Sequence, residues 1–283
     1  MSVLEWGNKY FRFRLSCDDA EAAKFSQRVL SRWVPGSQAR DFGLWRLEGS
    51  GSGWQISSPE EVRPKLREAG VPSRLERLDE AIKSVEFQAL FTALGAPGGP
   101  TGFHGALLGK GNRMIGLVGN KEAGKSTLST YLWSTGYDLY SDDGFQIELE
   151  GLSVVPTPRR SRVRAGCREF LGESVWNSIA SRSGTYQGRD GSLLFDPAPP
   201  AGKELILQAM VLLRAEPGGL ESMTEAEAAT DLVVLNHLYY SEGLPASLAQ
   251  TARLSNLLRC FRLGRGSLES RAAMIGRVFE ETN

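Results

Sequence analysis

Residues 9–16, KYFRFRLS, alternate aromatic with basic positions, the two-residue period of a half-buried strand. Asp18 and Asp19 then open a helical pattern through DDAEAAKFSQRVLSRWV, which Pro35-Gly36 stops. GLWRLEGSGSGWQISS reads as a hairpin turning at Gly and Ser. SPEEVRPKLREAG carries a serine cap, Pro59 at the first helical position and a closing glycine, so it predicts a short helix. A longer helix is expected over about 73–93. These elements predict a small α+β unit over residues 1–95.

GAPGGPTG, residues 95–102, breaks the pattern and marks a boundary. Beyond it, FHGALLG, GKGN and RMIGLVG read as strand, turn and strand, with His104 on the first strand. KSTLSTYLWSTG is a helix ending near Gly136, and YDLYSDDGFQIELEG a further strand holding Asp142 and Asp143 toward its end. KELILQAMVLLR, 203–214, is apolar enough for a central strand. TEAEAATDLVVLNHLYYSE opens with a capping box, Thr224 and Glu227, and predicts a helix with His237 as a structural residue in it. PASLAQTARLSNLLR, CFRL and SLESRAAMIGRVFEE predict helix, strand and terminal helix. Residues 96–283 thus form one α/β domain.

Bulk composition narrows the partners. The chain has 283 residues, 41% hydrophobic and 23% charged, with 33 basic and 33 acidic residues and no formal net charge. No overall field draws it to nucleic acid or to an anionic membrane. No apolar run approaches a membrane span, and the N-terminus lacks the apolar core of a signal peptide. Cys17, Cys167 and Cys260 are far apart, giving neither a disulfide framework nor a zinc pattern. A cytoplasmic protein is expected, with no nucleic-acid partner and no membrane. Self-association into a homo-oligomer is left open.

One stretch carries chemistry. GLVGNKEAGKSTL, 116–128, fits the phosphate-cradling pattern G-x-x-x-x-G-K-[ST], and it lies between a predicted strand and a predicted helix. Glycines let backbone N–H groups converge on phosphate oxygens, and the helix N-terminus adds partial positive charge. Gly119, Asn120, Lys121, Glu122, Ala123, Gly124, Lys125, Ser126 and Thr127 are the expected nucleotide-binding set. Lys125 would pair with the β and γ phosphates and the Ser126 hydroxyl would ligate Mg²⁺; the side chains of Lys121 and Glu122 receive no role. Asp142 and Asp143 could divide two tasks, one holding the metal and one taking a proton from an acceptor hydroxyl. Arg159, Arg160, Arg162, Arg164 and Arg168 crowd into twelve residues. They could spread transition-state charge, meet an acidic or phosphorylated acceptor, or form a solvated basic face. Arg159 and Arg160 are the better catalytic candidates, and Arg162 and Arg164 alternate as if on one strand face. The polar, Gly/Pro-rich stretch 181–202 reads as a connecting loop or one that orders over substrate.

Residues 103–148 resemble the nucleotide core of HPr kinase/phosphorylase and its relatives, which include kinases of peptide-tailoring clusters such as lasso-peptide precursor kinases. Phosphoenolpyruvate carboxykinase is a more distant likeness. The shared pattern is His104-Gly105, a hairpin, the phosphate loop, a helix closing near Gly136, and Asp142-Asp143. The resemblance implies an α/β fold with a P-loop core of this type; the small N-terminal α+β domain read ahead of it does not look like that of HPr kinase. It implies ATP and Mg²⁺ as cofactors and transfer of the γ-phosphate to a hydroxyl. Lys125 and Ser126 would then bind phosphate and metal, Asp142 would be the acid/base residue, Asp143 would join Ser126 on the metal side, and His104 would lie near both. The family's E-x-R-G-type signature and its C-terminal signature are missing, so HPr itself and the reverse reaction are not expected. A serine kinase acting on a peptide or protein is the leading expectation. A small-molecule hydroxyl such as that of free serine, and a nucleotide-driven ATPase or switch without an acceptor, are the alternatives; a purely structural nucleotide site is a remote third.

Overall fold

The computed structural model describes all residues except 1, 8, 31–34, 37–38, 61–71, 97–98, 112, 158, 183, 189, 197–203, 238–241 and 283. The chain divides into two compact units, Met1–Gly99 and Pro100–Asn283.

The first unit is a five-stranded sheet in the order of the chain: β1 (Ser2–Gly7), β2 (Phe11–Cys17), β3 (Arg40–Ser50), β4 (Gly53–Ser57) and β5 (Arg74–Leu75). Two helices, α1 (Ala20–Leu30) and α2 (Leu78–Leu94), cover one face. The period-two pattern of β2 explains this directly. Phe11, Phe13, Leu15 and Cys17 are buried beneath the helices with Trp6, Trp45 and Leu47, and the arginines between them point away. The expected hairpin is β3–β4. The long helix begins at Leu78, because residues 74–75 are taken up as an edge strand against β4. The short helix expected in SPEEVRPKLREAG lies largely outside the described residues.

In the second unit the strands are β6 (Thr101–Phe103), β7 (Gly105–Lys110), β8 (Arg113–Gly119), β9 (Asp138–Ser141), β10 (Phe145–Ile147), β11 (Ser153–Pro156), β12 (Ser161–Val163), β13 (Tyr186–Gln187), β14 (Leu193–Phe195), β15 (Leu205–Pro217), β16 (Leu220–Ser222) and β17 (Arg259–Arg265). The helices are α3 (Lys125–Ser134), α4 (Arg168–Ala180), α5 (Glu225–Leu232), α6 (Leu244–Ser255) and α7 (Leu268–Glu281). Nine strands form one sheet. At its centre β8, β15 and β17 run parallel, β7 is antiparallel to β8, and β9 lies beyond β7. The antiparallel set β6–β10–β11 joins through the first residues of β15.

The central strands are apolar on both faces because both faces are covered. Ile115, Leu117, Ala209 and Val211 meet α3, α4 and α7, whereas Met114, Val118, Met210 and Leu212 meet α5 and α6. The parallel register brings Gly119, Leu213 and Leu263 level near the carboxyl ends of the three strands, and β15 and β17 run on to Pro217 and Arg265. Ligands of open α/β sheets bind at such carboxyl ends.

The structure departs from two expectations here. The helix from Thr224 keeps its capping box but stops at Leu232, followed by a single 3₁₀ turn over Val233–Leu235. The β-branched valines are poor helix formers, and β6 recruits the backbone beyond them: Asn236 bridges Phe103, and the His237 amide donates to Gly102 O at 2.9 Å. The stretch 181–202 is not wholly loop, since β13 and β14 within it join β12 in a three-stranded sheet ordered β12-β14-β13.

Candidate active site

Strand pairing builds the site. β6 pairs antiparallel with β10, Phe103 opposite Phe145, and β7 pairs antiparallel with β9, Leu107 opposite Ser141. The two pairs are one ribbon interrupted in the middle. In the gap His104 and Gly105 on one chain face Asp142, Asp143 and Gly144 on the other. The single strand expected over YDLYSDDGFQIE is therefore two, and the Asp-Asp pair sits at the break rather than within a strand. His104 likewise lies between strands. Gly105 is opposite Val118, one residue before the phosphate loop; a Cβ on it would stand 2.4 Å from Leu117 O, so the ribbon approaches β8 this closely only with glycine there.

β8 runs into the loop and the loop into α3. Gly124 caps the helix in the left-handed region, φ 84°, and has no side-chain oxygen to offer, which leaves the first-turn amides without a side-chain cap. That is the geometry of an anion-binding helix start. Gly119, at φ 154°, passes so near β15 that a Cβ would stand 2.7 Å from Leu213 O. Lys125 is buried and donates to Gly119 O at 2.8 Å and Asn120 O at 3.0 Å. Burial lowers its pKa, and the Asp142 charge opposes that shift. The side chains of Lys121 and Glu122 are exposed. The Thr127 hydroxyl turns to the side, to Cys167 Sγ at 3.3 Å.

The two aspartates face different partners. Asp142 is buried and accepts from Ser129 Oγ at 3.0 Å. Burial pushes its pKa up to about 6, against the stabilising influence of Ser129, of Ser126 and of the Lys125 charge. Asp143 is bonded through its carboxylate to the Arg159 guanidinium. Its backbone carbonyl lies 2.8 Å from His104 Nδ1. A carbonyl only accepts, so Nδ1 carries the proton and Nε2 keeps its lone pair. Loss of hydration, then the Lys125 and Arg159 charges, lower the His104 pKa to about 4. The ring is still half exposed, 51% by side-chain area, so the lost hydration acts at its inward edge.

The structure thus gathers His104, Gly119–Thr127, Asp142, Asp143 and Arg159 at one end of the sheet. The carboxylate held on the loop side, by Ser129, is that of Asp142, whereas that of Asp143 is bonded to Arg159. The structure also separates Arg160 from Arg159. Arg160 Nε reaches Asp196 Oδ1 at 3.0 Å, just past β14, and Nη1 reaches the Tyr186 hydroxyl of β13 at 2.8 Å. Three contributors had no signal in the sequence. Ser129 anchors Asp142. The His237 pKa is lowered to about 3, by burial first and by the His104 charge second. Arg271, buried on α7, donates from Nη2 to Ala123 O in the loop at 3.4 Å.

Oxygen donors at Ser126 and Asp142 beside a buried lysine suit a hard divalent ion carried in by a nucleotide. Among the described residues no group of three or more His, Cys, Asp or Glu could hold a metal alone, so the phosphates and water would supply the remaining ligands. No helix among the described residues is long and apolar enough to cross a membrane.

No family model matches the sequence, and no curated protein does. Among solved structures the chain is similar to the HPr(Ser) kinase/phosphatase from Coxiella burnetii. The two are 10% identical, with a TM-score of 0.32, over 64% of this chain and 88% of that one. At that score the likeness carries neither fold nor activity to this chain.

Proposed function

We propose that the protein is an ATP- and Mg²⁺-dependent phosphotransferase that moves the γ-phosphate to a hydroxyl, with the serine of a peptide or protein as acceptor. The observation that carries this reading is the division of labour at the ribbon break. One aspartate is turned to the phosphate loop, and the other is turned away from it with a histidine and an arginine. Hydrolysis or switching requires only the first half.

In this reading the loop amides and Lys125 hold the β and γ phosphates, and bound Mg²⁺ offsets their charge. Ser126 and Asp142 are the residues that would hold the ion. Asp143 takes the acceptor proton, so the roles run in the reverse order from that expected. The acceptor oxygen bonds to Pγ, the bond from Pγ to the β–γ bridging oxygen breaks, and the hydroxyl proton passes to the Asp143 carboxylate. Arg159 orients that carboxylate, and the anionic phosphates offset the Lys125 and Arg159 charges that, after burial, lower the His104 pKa.

Incubation with γ-labelled ATP and Mg²⁺, with free serine or serine peptides present or absent, tests the proposal. Label on an acceptor, lost in Asp143→Asn, supports it. Phosphate release that is equal with and without acceptor replaces it with an ATPase.

A further inference from the structure

The three-stranded sheet has two unlike faces. Ser161, Val163, Leu193 and Phe195 point inward and are buried. Arg162, Leu194 and Tyr186 stand opposite one another on the outer face. Arg160 joins them, its guanidinium 5.2 Å from the centre of the Tyr186 ring. Arg164, two residues beyond Arg162, is exposed in extended backbone and makes no ion pair among the described residues.

Arg160, Arg162 and Arg164 therefore alternate along β12 and the residue on either side of it, in a chain of no net charge. Arg160 is tied to Asp196 and Arg162 to Asp190, through carboxylates exposed at 42% and 52%. Exposed pairs of this kind are weak and exchange readily. The acids hold the arginine forks in place without neutralising the row, which keeps one positive charge in excess. The row also borders the site, since Arg159, beside Arg160, holds Asp143.

We propose that this face docks an acidic segment of the phosphate acceptor, with carboxylates of the acceptor replacing Asp190 and Asp196 on the arginine row. The proposal rests on the kinase reading above and names its substrate class: a serine within a Glu/Asp-rich peptide stretch. Bidentate guanidinium–carboxylate pairs supply the selectivity.

The probes are two fluorescein-labelled peptides with one serine each, one flanked by glutamates and the other by glutamines. Their binding to the full chain is followed by fluorescence anisotropy without nucleotide, and label transfer from γ-labelled ATP is measured in parallel. The glutamate peptide is expected to bind about tenfold tighter, a difference of about 1.4 kcal/mol, and to lose that advantage at high salt. Arg164→Glu should weaken it, Arg164→Lys should largely keep it, and Asp190→Asn should strengthen it by freeing Arg162. Nucleotide affinity should be unchanged in all three. Equal affinity for the two peptides, absence of binding, or a preference that survives Arg164→Glu and ignores Asp190→Asn would overturn the docking surface. Transfer to both peptides with equal efficiency ends this proposal and leaves the kinase reading standing. Acid-selective binding with no transfer does the reverse.

Discussion

Ser129 Oγ donates to the buried carboxylate of Asp142 at 3.0 Å, one turn along the helix that starts at the phosphate loop. The aspartate is thereby fixed to the loop side of the site. Asp142→Asn should weaken binding of Mg²⁺-nucleotide by about tenfold or more, whereas Asp143→Asn should leave binding nearly intact and abolish transfer. Calorimetric titration of both variants decides between the two assignments; the opposite pattern would restore Asp142 as the base.

Asp142→Asn should also stabilise the metal-free protein at neutral pH. The folded-state pKa is raised from 3.8 to about 6, so the folded chain binds this proton more tightly than the unfolded chain does. The associated stability is fully present below pH 3.8 and is lost as the pH rises through 6. At pH 7 the buried carboxylate costs about 1–3 kcal/mol. Thermal melts of wild type and variant across this range should diverge with rising pH and converge in acid. A gap independent of pH would disprove the assignment.

Arg271→Met should raise the apparent KM for nucleotide several-fold with little change in kcat, because the loop carbonyl of Ala123 loses its donor and the cradle loosens. Arg271→Lys should recover part of the affinity, since a lysine can still donate to that carbonyl. If both variants bind nucleotide like wild type, Arg271 serves only the packing of α7.

Both histidines should be neutral at pH 7. Proton NMR should show His104 titrating near pH 4 and His237 near pH 3. Folded-state pKa values below the ordinary 6.5 mean that stability falls as the pH drops through these values. Addition of Mg²⁺-nucleotide should raise the His104 value and leave His237 nearly unchanged. A His104 midpoint near 6.5 without nucleotide would remove the cationic environment argued for it.

The sequence made the loop legible because its signals are local. Glycines at fixed spacing, a lysine and a serine at the helix start, and apolar runs on both sides all fall within thirteen residues. The alternation in β2 and the capping box of α5 were equally local, and both formed. What escaped depended on pairing across the chain. Nothing in YDLYSDDGFQIE says that its two halves pair with strands on opposite sides of His104. The arginine run could not reveal that Arg159 turns to Asp143 while Arg160 turns to Tyr186. Arg271 lies 148 residues from the carbonyl it supports, and its place on the buried face of α7 with Ile275, Val278 and Phe279 does not identify such a partner. The early end of α5 was local in part, in its valines, and in part not, since β6 takes up the backbone at Asn236 and His237 beyond them.

Lys125 already holds the carbonyls of Gly119 and Asn120, so the loop carries an internal rival for its own ligand. Affinity here is a difference between two sets of contacts, and an anion must offer the ammonium more than two neutral carbonyls do. On the proposed reading, a chain of phosphates long enough to reach Lys125 would outweigh the two carbonyls with several charged oxygens. The self-contact would then act as a threshold that favours di- and triphosphates over a single phosphate, before any residue touches the base or the sugar.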